Sequence, residues 1–441
     1  MKNTPALVWP RLLELPSEDV TLVYLDINHW ISFAQASTGH SSGVSFVQTL
    51  EACRAAKSAG TAVFVLSAIH YMEMNKIKDP SQRRAIADVM EDLTGFASLM
   101  DRVVVMNLEL DAMLDRFAQQ PSLLSRILLL GRGVRHSFGR NSGVKFVGRH
   151  GNATEEVRAH MGARAFDDFV AEAELSLDRS VLRGPADDEV EGLRALGWKP
   201  ESAIQAAEKR AAQERELSSI LEKELRWRRG RLRDVIAARE LCIEFEDILP
   251  RALARRQLAL SGVISEVESS RRFVRAMPST DVSIELKTSW HRNRDKNWAA
   301  NDIYDIDAMS LAVPYCDIVV TEKACHHALT VARVGERKLL IVLKNRAFNP
   351  GRNQQHRMMR SASGYCADIV VAHRQPHSPA KPFVHDRLVI ELPENHAFTI
   401  VGVLDPYPHP LALAGAVFLE FDFHLVARLI PRHSSLPSTP R

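Results

Sequence analysis

Residues 301–323 read NDIYDIDAMSLAVPYCDIVVTEK, and this stretch decides the fold. Ile306, Met309 and Val313 recur at three- and four-residue spacing, which predicts a helix facing a core. Pro314 predicts its end, because proline cannot continue the hydrogen-bond ladder. Asp302 and Asp305 are three apart and share one face at the start of that helix, where the macrodipole favours negative charge. Asp307 points elsewhere. The following run, Ile318 to Val320, is short, β-branched and bounded by polar residues, as a buried parallel strand is. Thr321 and Glu322 stand at its carboxyl end, and Asp317 at its amino end, toward the opposite edge of the sheet. Ionised carboxylates beside apolar runs are costly unless a cation or hydrogen-bond donors compensate them. A metal ion is therefore the expected partner. The plainer reading is that Asp302 and Asp305 only cap a helix and that Glu322 is a solvated strand end.

Upstream, Val20 to Ile27 (VTLVYLDI) is nearly continuous in apolar side chains and predicts a strand buried on both faces, with Asp26 at its carboxyl end. A helix is expected over Ser32 to Ala36 and another from Ser45 to Ser58. The next strand is Ala62 to Leu66. Ser67 is placed to cap the helix AIHYMEMNKI behind it, and Glu73 lies in that helix's second turn. A helix from Gln82 to Leu99 and a strand from Arg102 to Met106 (RVVVM) continue the alternation, the pattern of a parallel sheet covered on both faces. The alternation resumes after residue 300 with the opening stretch, a helix over 323–333 and the strand Lys338 to Leu343.

Between these two parts, residues 107–130 predict helix. Residues 131–152 (GRGVRHSFGRNSGVKFVGRHGN) read as a glycine-rich basic loop, and 153–275, rich in Ala, Glu, Arg and Leu, as several helices. The run RWRRGRLR at 226–233 reads as a solvated face using arginine–carboxylate pairs with its acidic neighbours. Beyond Lys344, several β-like runs predict a small β-rich region.

The chain has 441 residues, 46% of them hydrophobic and 25% charged, an ordinary soluble composition. Charges interrupt every long apolar run, so no membrane partner is expected. Proline and charge occupy the place of a signal-peptide core, which leads to the expectation of a cytoplasmic protein. Five widely spaced cysteines without a C-x-x-C pair exclude a zinc ribbon and a disulfide framework. Net charge is only +3, but basic residues are concentrated. No acidic residue falls between Asp115 and Glu155, where Arg132, Arg135, Arg140 and Lys145 lie. None falls between Glu336 and Asp368, where Arg346 and Arg352 lie. Such patches attract a phosphate backbone.

In an open parallel sheet, ligands bind beyond the carboxyl ends of the strands. Asp26, Glu73, Asp302, Asp305 and Glu322 are all expected at that one rim. Gathered carboxylates repel one another unless divalent cations neutralise them. Oxygen ligation without nearby His or Cys suits Mg2+ or Mn2+. The chemistry that fits is phosphodiester hydrolysis, with the basic windows holding the nucleic acid.

The motifs YLDIN, VLSAIHYMEM and NDIYDIDAMSLAVPYCDIVVTEK followed by KLLIVL resemble the PIN (PilT N-terminus) domain family of metal-dependent nucleases, mostly ribonucleases. The resemblance implies an α/β fold in which a parallel sheet carries helices on both faces. It implies that Asp26, Glu73 and Asp305 are catalytic metal ligands, with Asp302 as an accessory and Asn28, Ser67 and Thr321 as supporting residues. The family's usual T-x-D is replaced here by Thr321 followed directly by Glu322, a departure that leaves the fourth ligand open, with Glu322 as the candidate. The implied organisation is a first part of the PIN-like domain over 1–106, a mostly helical insertion with the basic glycine-rich loop over 107–300, a second part over 301–344, and the β-rich region over 345–441. The implied activity is endoribonuclease cleavage of single-stranded RNA, with single-stranded DNA as the other substrate, and with a homodimer mate and a protein regulator as further partners. The contrasting reading is a catalytically inactive PIN-like scaffold that binds RNA or a protein. A haloacid-dehalogenase-type phosphatase is disfavoured because Asn28 stands where that chemistry needs a second Asp. A P-loop enzyme is excluded by the absence of its glycine–lysine motif.

Overall fold

A computed structural model describes residues 20–118, 129–139, 146–148, 151–195, 199–334 and 341–344. The expected β-rich region beyond Lys344, and Arg140, Lys145, Arg346 and Arg352 with it, lie outside the described residues.

The molecule is an α/β fold built on strands β1 (Thr21–Leu25), β2 (Ala62–Val65), β7 (Ile318–Thr321) and β8 (Ile341–Lys344), all parallel in the order β2-β1-β7-β8. Register is fixed by pairs such as Tyr24 with Val65 and Leu25 with Val320. Leu22, Tyr24, Leu25, Val65 and Val319 are buried, as the near-continuous apolar runs require for strands covered on both faces. The chain leaves β1 toward β2 on one side and returns to β7 on the other, so a topological switch point falls between β1 and β7.

The connections between β1 and β2 are α1 (Ile27–Ser37) and α2 (Val47–Ser58). Helix α1 begins directly after Asp26, five residues earlier than the sequence pattern suggests. Behind β2 come α3 (Ala68–Met74) and α4 (Pro80–Thr94). The Asp79 side chain accepts from the Ser81 N–H at 2.9 Å, and Gly95 closes α4 in the left-handed region at φ 51°. The short strand β3 (Ala97–Leu99) follows. Leu66 N donates to the Ala97 carbonyl and Leu99 N to the Leu66 carbonyl, both at 2.8 Å, so β3 runs beside β2.

Two expectations fail here. The helix predicted to reach Leu99 ends at Thr94, and the predicted strand Arg102 to Met106 is the first turn of helix α5 (Arg102–Phe117). Asp101 decides the second point: its Oδ1 accepts from Val103 N at 2.8 Å, starting a helix whose Val105, Met106, Leu110, Met113 and Leu114 form one buried stripe. A β-branched run is strand-like in isolation, but a cap and a period of three to four override it. The basic loop predicted over 131–152 also contains order, with β4 (Leu130–Arg132) antiparallel to β3 and α6 (Gly133–Ser137) after it. Gly133 has φ 86°, and a Cβ there would lie 2.7 Å from both Asp178 carboxylate oxygens; its absence lets Val134 N donate to Asp178 Oδ1 at 2.7 Å. A two-residue pairing, β5 (Val147–Gly148) with β6 (Gly151–Asn152), lies within the same window.

Residues 154–275 form α7 (Thr154–Met161), α8 (Ala163–Arg183), α9 (Val190–Ala195), α10 (Glu201–Lys223), α11 (Leu225–Arg228), α12 (Leu232–Ile243), α13 (Ile248–Arg255), α14 (Leu260–Val263) and α15 (Val267–Arg275). Then come α16 (Pro278–Arg292), α17 (Ala300–Tyr315) with Pro314 inside its last turn, and α18 (Lys323–Val331). The arginine run at 226–233 is engaged with neighbours: Arg226 pairs with Glu224, Arg228 donates to the His291 carbonyl, and Arg233 pairs with Asp281 and Glu285. Among the described residues no helix is long and apolar enough to cross a membrane.

The helical part is joined to the sheet part through two cores. One cluster unites the strands with Ala203, Ala207 and Ala211 of α10 and with Val282 and Leu286 of α16. The other packs Leu110 and Leu114 of α5 against Leu221, Ile236, Phe245 and Phe273. Between them lies a buried ion network. Lys287 Nζ sits 3.0 Å from Glu214 and 2.7 Å from Glu240, Arg239 contacts Glu214, Glu240 and Glu244, and Arg102 reaches Glu240 and Asp307. Arg210 grips Asp307 with both terminal nitrogens, at 2.5 and 2.9 Å. Removing one partner from such a network strands the opposite charge in the interior, which typically costs about 3–5 kcal/mol. Lys287→Met should therefore lower the unfolding free energy from urea titration by an amount in that range, whereas Arg226→Met, on an exposed pair, should leave it within about 1 kcal/mol.

Candidate metal centre

Asp26 and Glu322 occupy equivalent places. Each ends a parallel strand, β1 or β7, each is the N-cap residue of the helix that follows, α1 or α18, and neither side chain makes a capping hydrogen bond. The strands are neighbours, and Asp26 N donates to the Val320 carbonyl at 3.0 Å, so the two acids meet at the switch point. Asp305 enters from the second turn of α17 and Glu73 from the second turn of α3. Ligand atoms of Asp305, Glu322 and Cys325 all lie within 4.8 Å of one another. Asp26 and Glu73 stand outside that trio but within reach of its charge.

The electrostatics show the convergence. Burial raises the Asp305 pKa to about 8, and Glu322, Asp26, Glu73 and Asp302 add to it in that order. Burial raises Glu73 to about 8, with Asp26 and Glu322 adding and Lys76 opposing. Asp26, 8% exposed, rises to about 6 through burial and Glu322, against backbone N–H groups of Ile27 and Glu322 that favour its charged form. Carboxylic acids that hold protons toward neutral pH because of burial and, after it, one another are a site short of positive charge.

The backbone beneath Asp26 is fixed from two sides. The Leu25 carbonyl accepts from Trp30 Nε1 at 3.0 Å and lies 2.8 Å from His70 Nε2. His70 Nδ1 accepts from Ser67 N at 3.0 Å, so Nε2 carries the proton and donates. Ser67 Oγ in turn lies 3.2 Å from Tyr24 Oη. Ser67 thus links β1 to the start of α3, and with it Asp26 to Glu73. His70, which the sequence reading passed over, is the hinge of this arrangement. Its position three residues after an N-cap serine was the available signal.

The remaining expected residues are placed as follows. Asp302 is part-buried but already engaged: Oδ2 accepts from Ala299 N at 2.8 Å and Oδ1 from Lys296 Nζ at 2.5 Å. It is a capping residue of α17, not a further open ligand. Asn28 is exposed in the first turn of α1, and its carbonyl accepts from Ser32 Oγ. Thr321 is buried at the end of β7. Asp317 lies at the far end of that strand, accepting from Leu22 N, as expected. Arg135 is 5% exposed and its Nη1 lies 3.9 Å from Glu174, so it is buried and withdrawn from the basic surface expected of it. Arg132 is exposed and donates to the Gly95 carbonyl at 2.8 Å.

Two residues join the site that the sequence reading left out. Cys325 sits one turn into α18, three residues after Glu322, and overturns the expectation that no cysteine lies near. Burial and then Asp305 and Glu322 push its thiol pKa well up. Lys76 follows Glu73 by three residues. Its Nζ donates to Asn301 Oδ1 at 2.9 Å and lies 3.7 Å from the centre of the Tyr304 ring, where burial lowers its pKa against the pull of Glu73 and Asp305.

Comparison with known proteins gives no matching family model, no matching curated protein and no matching solved structure.

A carboxyl group whose folded pKa lies above its unfolded value binds extra protons in the folded state. Its contribution therefore turns against folding as pH rises from the unfolded value, near 4, through the folded one. For Asp305 and Glu73 that window closes near pH 8. Glu73→Gln should accordingly raise the Tm in chelator at pH 8.5 and lose that advantage at pH 4.5. Adding Mg2+ should stabilise the native protein more at pH 8.5 than at pH 6, with protons released on binding; calorimetry in two buffers of different ionisation heat reads the protons directly.

Proposed function

We propose that this protein is a divalent-cation-dependent phosphodiesterase, most specifically an endoribonuclease of PIN-like type acting on single-stranded RNA. The observation that carries this reading is the convergence of Asp26, Glu73, Asp305 and Glu322, from four separate segments, on one switch point where burial and neighbouring carboxylates raise Asp26 to about 6 and Glu73 and Asp305 to about 8. The donor set fits a hard cation: four carboxyl groups are available, and the uncompensated charge is negative. The chemistry that Mg2+ or Mn2+ supplies when bound is a water of lowered pKa and neutralisation of charge building on a phosphoryl group. Asp305 and Glu322 would hold such an ion, with Asp26 and Glu73 completing its surroundings. Glu73 would give up its proton when such an ion is held there. The Lys76 ammonium, held by Asn301 and the Tyr304 face, presents a positive group beside the acids for a phosphate oxygen. Cys325, a neutral thiol at these pH values, is a poor ligand for Mg2+ but ionises readily toward a soft metal.

Incubating the full chain with labelled single-stranded RNA in Mg2+, Mn2+ or EDTA tests the reading. Cleavage is expected with either metal, abolished by EDTA and by Asp26→Asn or Asp305→Asn at unchanged Tm or above. Cleavage surviving both changes refutes it; binding without cleavage in every metal favours the inactive scaffold. Cys325→Ser should keep Mg2+-dependent cleavage while losing most of the inhibition that Cd2+ or Zn2+ exerts on the native protein, measured as a rightward shift of the inhibition curve.

A further inference from the structure

Helix α17 brings Asp305 to the rim, yet its apolar side chains do not fix which way it faces. Every residue from Ile306 to Val313 is buried. A helix buried all round has no amphipathic stripe to choose its rotation, so the choice falls to its polar side chains. Ser310 is satisfied within the helix, its Oγ donating to the Ile306 carbonyl. Asp302 is bonded by Ala299 and Lys296, which belong to the same segment and turn with it. Tyr315 donates to Glu109 of α5, but beyond Pro314 and at the far end of the helix. The Tyr304 hydroxyl is buried with no hydrogen-bond partner among the described residues.

Asp307 is the exception. Arg210 of α10 donates to both of its carboxylate oxygens, at 2.5 and 2.9 Å, and Arg102 Nε lies 3.2 Å from Oδ1. A guanidinium fork on a carboxylate fixes direction as well as distance. Any rotation of α17 that broke the fork would leave an ionised carboxylate short of donors in the interior, which is costly. Ala203, Ala207 and Ala211 recur every four residues along α10 and are buried, a small-residue face that lets this helix lie close against α17. Side chains two apart on a helix are turned by about 200°, so Asp305 faces away from the fork. Tyr304, three residues before Asp307, stays on its side and carries the Lys76 ammonium 3.7 Å above its ring.

We infer that Arg210 is a positioning residue of the metal centre: by gripping Asp307 from the helical part, it sets the rotation of α17 that turns Asp305 toward Glu322 and Cys325. Its effect on metal affinity rests on the reading of the rim as a cation site, whereas its effect on the direction of Asp305 does not. The helical part therefore governs whether the rim has its central acid.

The experiment has a metal arm and a metal-free arm, both on the full chain. Calorimetry gives the Mn2+ affinity of the native protein, Arg210→Met, Arg210→Lys and Arg256→Met. Arg256 makes a similar two-nitrogen grip on Asp115 of α5, at 2.8 and 2.6 Å, and so matches the loss of an ion pair away from α17. Arg210→Met should weaken Mn2+ binding by about tenfold or more, the usual effect of losing a group that orients a ligand. Arg210→Lys, which keeps the charge without the fork, should weaken it by less, and Arg256→Met should leave it unchanged. For the second arm, the ligand atoms of Asp305 and Cys325 lie within 4.8 Å of each other. The thiol introduced by Asp305→Cys should therefore form a disulfide with Cys325 when diamide is added, located by peptide mass analysis, and should form far less of it once Arg210→Met or Arg210→Lys is added. Should Arg210→Met fail to fold, Arg210→Lys carries both arms. Equal weakening by the Arg210 and Arg256 variants, Arg210 variants that bind Mn2+ as the native chain does, or a disulfide that forms as readily without Arg210 as with it each overturns the proposal. So does the absence of that disulfide in the Asp305→Cys chain itself. A native chain that takes up no Mn2+, but whose disulfide still depends on Arg210, upholds the positioning role and removes the metal reading instead.

Discussion

The rotation of α17 about its own axis governs the site, and a buried ion pair sets that rotation. Asp307 is gripped by Arg210 from α10 and approached by Arg102 from α5, all three largely out of solvent. Two residues along a helix turn the side chain by about 200°. With Asp307 locked toward the helical part, Asp305 must face the other way, toward the ends of β1 and β7. The helices between the two halves of the sheet are therefore not an appendage. They fix the element that delivers a central acid.

The two charge clusters of this molecule obey opposite rules. In the interior network Arg102, Arg210, Arg239 and Lys287 face Glu214, Glu240, Glu244 and Asp307, four cations to four carboxylates. Against burial that works the other way, the attraction of Lys287, the hydrogen bond from His291 and the attraction of Arg239 hold Glu214 at about 2. At the rim, burial and mutual repulsion carry Glu73 and Asp305 to about 8, with Lys76 as the nearby cation. Matching charges inside a protein fixes geometry more than it adds stability. Unmatched carboxylates at the strand ends are instead eased by protonation, which is why Glu73 and Asp305 keep their protons to about pH 8.

Both features reach the site through the backbone. Neighbouring parallel strands that end at the same level, each followed at once by a helix, put Asp26 and Glu322 side by side with their side chains free of capping duty. The Leu25 carbonyl, held by Trp30 and His70, stops the Asp26 segment from relaxing away from its neighbour.

The parallel strands, the acids at their carboxyl ends and the helix bearing Asp305 could be read directly, because period and punctuation are local and strands buried on both faces leave continuous apolar runs. The errors were equally physical. RVVVM became helix because Asp101 caps it and its buried stripe extends to Leu114, and Arg135 went inside because Gly133 lets α6 close against Asp178. Linear order could name five acids but could not say that one of them, Asp302, would be taken by Lys296 and Ala299, or that Cys325 and Lys76 would stand among the others. What the chain alone determined is which elements form and which residues end them. Which charges are neutralised was decided only on folding, since a partner for Asp307 lies 97 residues away along the chain and 2.5 Å away in space.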